Sequence, residues 1–375
     1  MYAIMGGGIA GLSLGLAFEK LGINYHIYEK AAALTPVGAG IWLAPNALQV
    51  LDHLGILSSI QEAGNYLDQI AITNAQLKPV SDVDMHPIRQ EFGFTTVAIH
   101  RAALQAELLR AIPGEKLSLN KIFDAFQENK DGTLSIHFQD GSRAVADYLI
   151  GADGIHSGVR QQLFPQGQLR YAGQSCWRGI AQLSLGDTYQ HRGIEAWGGQ
   201  HRIGWSPIGP NQIYWFAVSQ QAAGLRSAAE TNQAMLLQRY QGFHPIVQQI
   251  IGATPNQQII QNDIYDLKPI PRWYRGRVCL IGDAAHATTP NMGQGGAQAI
   301  EDVHSLVSLL RKHPAQEAFT LFQAQRQQKV NKVVRQSWQT GQLAHWQRGR
   351  ALRDFVMRLT PKQVFLQQLI KIYRL

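Results

Sequence analysis

The sequence has only two cysteines, Cys176 and Cys279, in 375 residues. They show neither a disulfide framework nor zinc-ligand spacing, and no CxxC or CxxxxC pair exists, so dithiol redox chemistry is excluded and reducing surroundings are expected. No apolar run approaches the roughly 18 residues that a membrane span requires. Met1 to Met5 runs directly into Gly6 without a basic segment, so no secretory leader is expected and the reading is cytoplasmic. Charged residues are sparse at 16%, against 45% apolar. That balance fits a soluble globular chain able to bury one large core or two medium ones.

The charge that is present is uneven. Of the net +8, the segment from Arg311 onward holds 13 lysines and arginines against Glu317 and Asp354, a local balance of +11 that leaves about −3 for the rest. Such a segment attracts nucleic acid, anionic lipid or an acidic substrate. No zinc-finger spacing or RNP-type aromatic motif accompanies it, so no nucleic acid partner is expected and a solvated helical tail is the plainer reading. Its end, "TPKQVFLQQLIKIYRL", sets Val364, Leu366, Leu369, Ile370 and Tyr373 at helical intervals. It reads as a terminal helix packed across two domains, with peripheral membrane contact as the other use of the same pattern.

What the chain does have is glycine at the ends of apolar runs. Tyr2 to Met5 stops at "GGGIAG", Leu12 to Leu21 carries apolar residues at helical spacing, and "NYHIYEK" follows as a compact strand. Strand, glycine turn, helix and strand open a doubly wound α/β fold. Gly6, Gly8 and Gly11 fit GxGxxG in that context; the first allows the tight turn, the second lets N–H groups reach a pyrophosphate, and the third lets helix and strand pack closely. Glu29, 18 residues beyond Gly11, is placed to accept hydrogen bonds from ribose hydroxyls, and Lys30 beside it joins the cofactor candidates. At this point NAD and FAD both remain open.

Further along, His100 to Ile112 reads as a helix, and strands with turns at Lys130-Asp131-Gly132 and Asp140-Gly141 follow. From Tyr171 to Asp266 alternating, aromatic-rich runs predict an antiparallel sheet, interrupted by a helical stretch near Ala234 to Ile251. Long helices are expected from Gln298 to Leu375. The expected architecture is α/β: a Rossmann-like FAD-binding domain of discontinuous segments (1–70, 96–168 and 270–335), an inserted antiparallel-sheet substrate domain (71–95 and 169–269) and C-terminal helices (336–375).

Two later motifs carry a family resemblance. "GADGIHSGVR" puts Asp153 at a strand end with Arg160 just beyond, and "GDAAHATTPNMGQGG" supplies Asp283, Pro290, Gly293, Gly295 and Gly296 before a helix. With GxGxxG these follow the order of the para-hydroxybenzoate-hydroxylase family of single-component FAD monooxygenases, which the chain resembles over about Met1 to Val303. The chain is similar to its short salicylate-hydroxylase-like, urate-hydroxylase-like and tetracycline-inactivating members. The resemblance implies FAD, with NAD(P)H as a transient co-substrate and O2 as oxidant, and hydroxylation of an electron-rich aromatic or polycyclic small molecule through a C4a-hydroperoxyflavin.

It further implies that Asp283 bonds the ribityl chain, that Asp153 and Arg160 serve the pyrophosphate region and the docking nicotinamide, and that Arg101 contacts the flavin. "VGAGIWLAPNAL" (Val37 to Leu48) matches the loop beside the isoalloxazine, with Gly40 and Ile41 nearest, and Pro290 to Gly296 brings a helix N-terminus to the ring edge. His286 reads as a packing residue, and no metal is expected. For the substrate, the period of two groups Tyr214 with Phe216 and Val218, and Arg202 with Gly204 and Ser206. Arg202 is assigned to an anionic or enolate-like substrate and Tyr214 to hydrogen bonding or stacking on it. Of Trp177 and Arg178 at most one points inward, Trp177 being the packing residue. The alternatives are a flavin-dependent reductase of an isoprenoid-like substrate and a non-catalytic flavoprotein that binds a reactive metabolite. A monomer or weak dimer is expected.

Overall fold

The computed structural model describes residues 1–34, 39–346 and 349–375. Tyr2–Met5 is a strand whose last three residues are fully buried, as a central parallel strand covered on both faces must be. It pairs in parallel with Tyr25–Tyr28 on one side and Tyr148–Gly151 on the other. Val278–Leu280 extends the sheet beyond Tyr148–Gly151, so the glycine turn after Tyr2–Met5 and the motif after Val278–Leu280 open at the same end of one sheet. The first helix, Ile9–Lys20, is apolar nearly all round and buried over its first ten residues, because it lies between the sheet and the helix Gly295–Leu310.

A seven-stranded sheet stands opposite. Its order is Ile260–Leu267, Leu169–Gln182, Gln212–Gln220, His201–Gly209, Arg192–Trp197, Gln69–Asn74 and Pro79–Asp84. Alternation divides its two faces. Trp177, Ile194, Ile203, Trp205 and Trp215 point into a core closed by the helices Asn232–Arg239 and Pro245–Gly252. The sequence pattern predicted one helical stretch there; two form because Pro245 cannot continue a helix and instead starts one. The other face turns toward the dinucleotide-type sheet.

Two small sheets complete the chain. Phe123–Glu128, Leu134–Phe138 and Arg143–Ala146 form a meander, and Gly40–Leu43, Thr96–His100 and Gly64–Leu67 form an antiparallel bridge between the two larger sheets, which the periodicity did not announce. Ala315–Ala344 is a 30-residue helix running past the cavity between the sheets, followed by Arg350–Leu359 and Lys362–Tyr373.

Candidate active site

The three glycines of the first turn serve different purposes. Gly6 has φ +107°, and a Cβ there would lie 2.4 Å from the Ala152 carbonyl oxygen. A Cβ on Gly11 would sit 1.9 Å from the Gly6 carbonyl oxygen, so helix and turn touch backbone to backbone. A Cβ on Gly8 meets no atom of the described residues within 4 Å, and its space opens on a cavity of about 1070 Å³. Gly6 and Gly11 are thus needed by the fold, whereas Gly8 leaves room for something outside the chain.

The second glycine turn opens into the same cavity. Gly295–Leu310 and Ile9–Lys20 both start without a side-chain cap, so their first N–H groups are available, and the dipoles of both helices favour negative charge there. Gly8, Ile9 and Ala10 line one part of the cavity wall; Pro290, Gly293, Gly295 and Gly296 line another. Asp283 lines the cavity beside them, open to cavity solvent yet enclosed by protein, which raises its carboxyl pKa against the opposing pull of His286, Arg101 and Arg160. Arg101 begins the helix Arg101–Arg110 and reaches the cavity. Its guanidinium is open to cavity solvent yet surrounded by protein, and burial lowers its pKa, offset by Asp283.

Gly40 and Ile41 line the cavity too, and a Cβ on Gly40 would fall 2.3 Å from Tyr214 Cγ, so bridge strand and aromatic roof meet at that point. Val37 and Gly38, the start of the expected flavin-side loop, lie outside the described residues. The roof is the inner face of the seven-stranded sheet. Tyr214, Phe216 and Val218 alternate into the cavity, while Trp215 turns away to hydrogen-bond Thr254. Burial drives the Tyr214 hydroxyl pKa well up, so it stays protonated. Arg178 lines the cavity and bonds Asn262 at 2.6 Å; its neighbour Trp177 is buried in the outer core, as alternation requires.

Arg202 is buried in the wall, but not as a free cation. Its Nη1 donates to Glu195 Oε1 at 2.6 Å, Glu195 also accepts from Trp197 Nε1 at 3.0 Å, and Arg202 Nη2 donates to Asn291 Oδ1. Glu195, Trp197 and Asn291 all line the cavity and none was singled out in the sequence. The signal for the first two was available: they occupy the inner-face phase of "GIEAWGG", which alternation alone assigns once the sheet is known.

Other expected site residues sit differently. Arg160 does not face the cavity; its guanidinium is buried and bonds the carbonyls of Ala284 at 3.0 Å and Ile155 at 2.6 Å, tying the two aspartate motifs together. Asp153 accepts from the Val159 N–H at 3.2 Å, leaves Oδ1 without a partner among the described residues, and has its pKa raised by burial. Glu29 accepts from the Gly7 N–H at 2.6 Å and the Ala31 N–H at 2.9 Å, so it already props the glycine turn; Lys30 is exposed beside it. His286 is buried and bonded to Asp302 at 2.5 Å.

These features fit a flavin dinucleotide with a second small ligand. Buried polar atoms seek partners, and Thr288 Oγ1, Arg178 Nε and Arg202 Nε, all on cavity-lining residues, have none among the described residues. Two uncapped helix N-termini offer donors to anionic groups, and the volume exceeds what one drug-sized ligand fills.

Comparison with known proteins agrees. Residues 2–337 match the family described as FAD binding domain. The chain is 38% identical over 361 residues to an aurachin C monooxygenase/isomerase of Stigmatella aurantiaca, covering 95% of this chain and 93% of that protein. It is 33% identical over 371 residues to the 2-heptyl-3-hydroxy-4(1H)-quinolone synthase of Pseudomonas aeruginosa, covering 96% and 94%. Klebsiella pneumoniae HpxO, solved with FAD and uric acid, superposes with a TM-score of 0.91 at 28% identity, covering 100% of this chain and 96% of that one.

Proposed function

The chain belongs to the FAD binding domain family and is an FAD-dependent monooxygenase of aromatic small molecules; within that class we propose that its substrate is a neutral, quinolone-like nitrogen heterocycle carrying an apolar chain. The observation that carries this reading is the Glu195–Arg202 ion pair in the cavity wall. The pair has no net charge, so a carboxylate substrate would have to displace Glu195 from Arg202. A ring N–H and a ring carbonyl meet no such cost: the former donates to Glu195 and the latter accepts from Arg202 Nε, which lacks a partner among the described residues. Ile70, Ile72, Phe216, Ile264 and Leu369 are among the apolar residues of the lining. The product for which the P. aeruginosa relative is named combines such a heterocycle with a heptyl chain.

When bound, FAD supplies the activated oxygen at the expense of NAD(P)H and O2, the second oxygen atom leaving as water. The chain's residues do the rest. With an enamine-type ring as substrate, Glu195 would stabilise the positive charge that develops on the ring nitrogen as the ring carbon is oxygenated. Arg202 fixes the carbonyl, and Tyr214 packs against the heterocycle while its hydroxyl stays a donor. For the cofactor, Gly8 is assigned to the pyrophosphate, on the turn that Gly6 and Gly11 shape, Asp283 to the ribityl hydroxyls, and Arg101, Gly40, Ile41 and the Pro290–Gly296 turn to the flavin ring. Use of NAD(P)H suits a cytoplasmic enzyme.

A panel of neutral 2-alkyl-4-quinolones and aromatic carboxylates, scored by NAD(P)H oxidation and by the mass of hydroxylated product, tests the reading. Coupled turnover is expected on the quinolones. Faster coupled turnover on the carboxylates would overturn it and assign Arg178 or Arg202 to anion binding.

A further inference from the structure

The helix Arg350–Leu359 is amphipathic in the wrong sense for a packed helix. Its protein-facing side is polar: Arg353 is buried, stacks 4.9 Å over the Trp197 ring and donates to the Leu343 and Ala344 carbonyls at 3.1 Å. Its apolar stripe faces solvent, with Leu352 64%, Phe355 57%, Val356 53% and Leu359 65% exposed. Those positions follow the i, i+3, i+4, i+7 spacing of a single helical face. Exposed Arg350, Arg358 and Lys362 flank it. Eight of the 13 large apolar side chains exposed among the described residues fall between Leu343 and Leu375, so the patch is concentrated and not the scattered apolar surface every protein carries.

The geometry points to an anionic lipid surface as the partner of this face: the Arg350–Leu359 helix lies in the membrane interface, inserting Leu352, Phe355, Val356 and Leu359 while the flanking cations meet lipid phosphates. Charge decides between occupants. A second copy docked by a two-fold axis would set Arg350, Arg358 and Lys362 against their own equivalents, whereas an anionic bilayer neutralises them. No helix of the described residues is long and apolar enough to cross a membrane, so the contact is peripheral. The helices on either side of this one supply Leu343, Phe365 and Leu369 to the cavity lining. The lipid-facing helix therefore adjoins the cavity wall, a placement that lets an apolar substrate pass from the bilayer to the site. The surface argument is independent of the substrate reading.

The test is co-sedimentation of the FAD-loaded full chain with vesicles of equal phosphatidylglycerol and phosphatidylcholine, against pure phosphatidylcholine. Binding to the anionic vesicles is expected to be stronger by about tenfold or more and to weaken as NaCl is raised. A Phe355→Glu/Leu359→Glu double variant is expected to lose about tenfold or more of that binding, with flavin absorbance and melting temperature unchanged. Absence of binding to anionic vesicles, or equal binding by the double variant, would overturn the proposal. So would a concentration-dependent dimer in sedimentation velocity that the double variant abolishes, which would give the face to a second copy.

Discussion

Arg202 and Glu195 lie diagonally across the antiparallel pair Arg192–Trp197 and His201–Gly209, with Nη1 and Oε1 2.6 Å apart inside the cavity. Each explains the other: a buried guanidinium needs a counter-charge, and Glu195 supplies it without spending both oxygens. Glu195→Gln keeps the shape but frees the cation. For that variant kcat/KM on a neutral heterocycle is expected to fall by about 10- to 100-fold, while KM for aromatic carboxylates falls. Parallel steady-state kinetics on both substrate types check this, and unchanged kinetics on both would remove Glu195 from substrate recognition.

Gly8 and Gly11 separate ligand binding from folding within one motif. A methyl at Gly11 drives into the Gly6 carbonyl, so Gly11→Ala is expected to destabilise the fold by about 3 kcal/mol or to prevent expression. The same methyl at Gly8 touches no described atom of the chain. Gly8→Ala is therefore expected to fold with an unchanged apo-protein melting temperature and to retain at least about tenfold less FAD, because the methyl intrudes where backbone N–H groups approach the pyrophosphate. Absorbance of purified protein and fluorescence titration with FAD measure it.

The same contrast shows what could be read from the sequence. The first glycine turn, the aspartate motifs and the alternation of "QIYWFAVS" each depend on local spacing, and local spacing survives in a one-dimensional record. Tyr214 and Phe216 inward with Trp215 outward followed from it. Whether Arg202 carries free charge did not, because its partner is set by the register of two strands and by Asn291, 89 residues away. The direction of Arg160 is set in a similar way: a motif says that an arginine follows the turn, but the carbonyl of Ala284, contributed by the other aspartate motif, decides where it points. The bridge strand Gly40–Leu43 is four residues long, too short for its period to stand out.

Asp302 anchors the turn at Gly282 and Asp283. Its Oδ2 accepts from the Gly282 N–H at 2.9 Å and from His286 at 2.5 Å, and its Oδ1 accepts from Arg326 Nε at 2.8 Å. Burial alone would raise its pKa, but His286 and Arg326 hold the carboxyl below its usual range. Asp302 does not line the cavity; it positions Asp283, which follows Gly282. Asp302→Asn leaves the Arg326 charge incompletely compensated and is expected to cost about 3 kcal/mol of stability. Flavin retention should fall in the folded fraction, whereas His286→Gln, which keeps a donor near Asp302, should retain flavin. Melting curves with and without added FAD distinguish a loosened turn from simple unfolding.

His345 provides the pH dependence. It closes the helix Ala315–Ala344, is buried against Gly341 and Gln174, and has its pKa lowered to about 4 by burial and then by the Arg202 charge. An unfolded histidine takes up its proton near 6.5. Between those values the unfolded chain binds more protons than the folded one, so stability is complete above about pH 6.5 and is lost as pH falls toward about 4. The size of the loss from this residue is up to about 3 kcal/mol. Urea unfolding of the native sequence and of His345→Gln at pH 7.5, 6 and 5 isolates it from the carboxylates, which titrate in both. The difference in unfolding free energy between the two proteins is expected to change with acidification in favour of His345→Gln; a constant difference across that range would mean that the imidazole accepts its proton in place, beside Arg202, without cost.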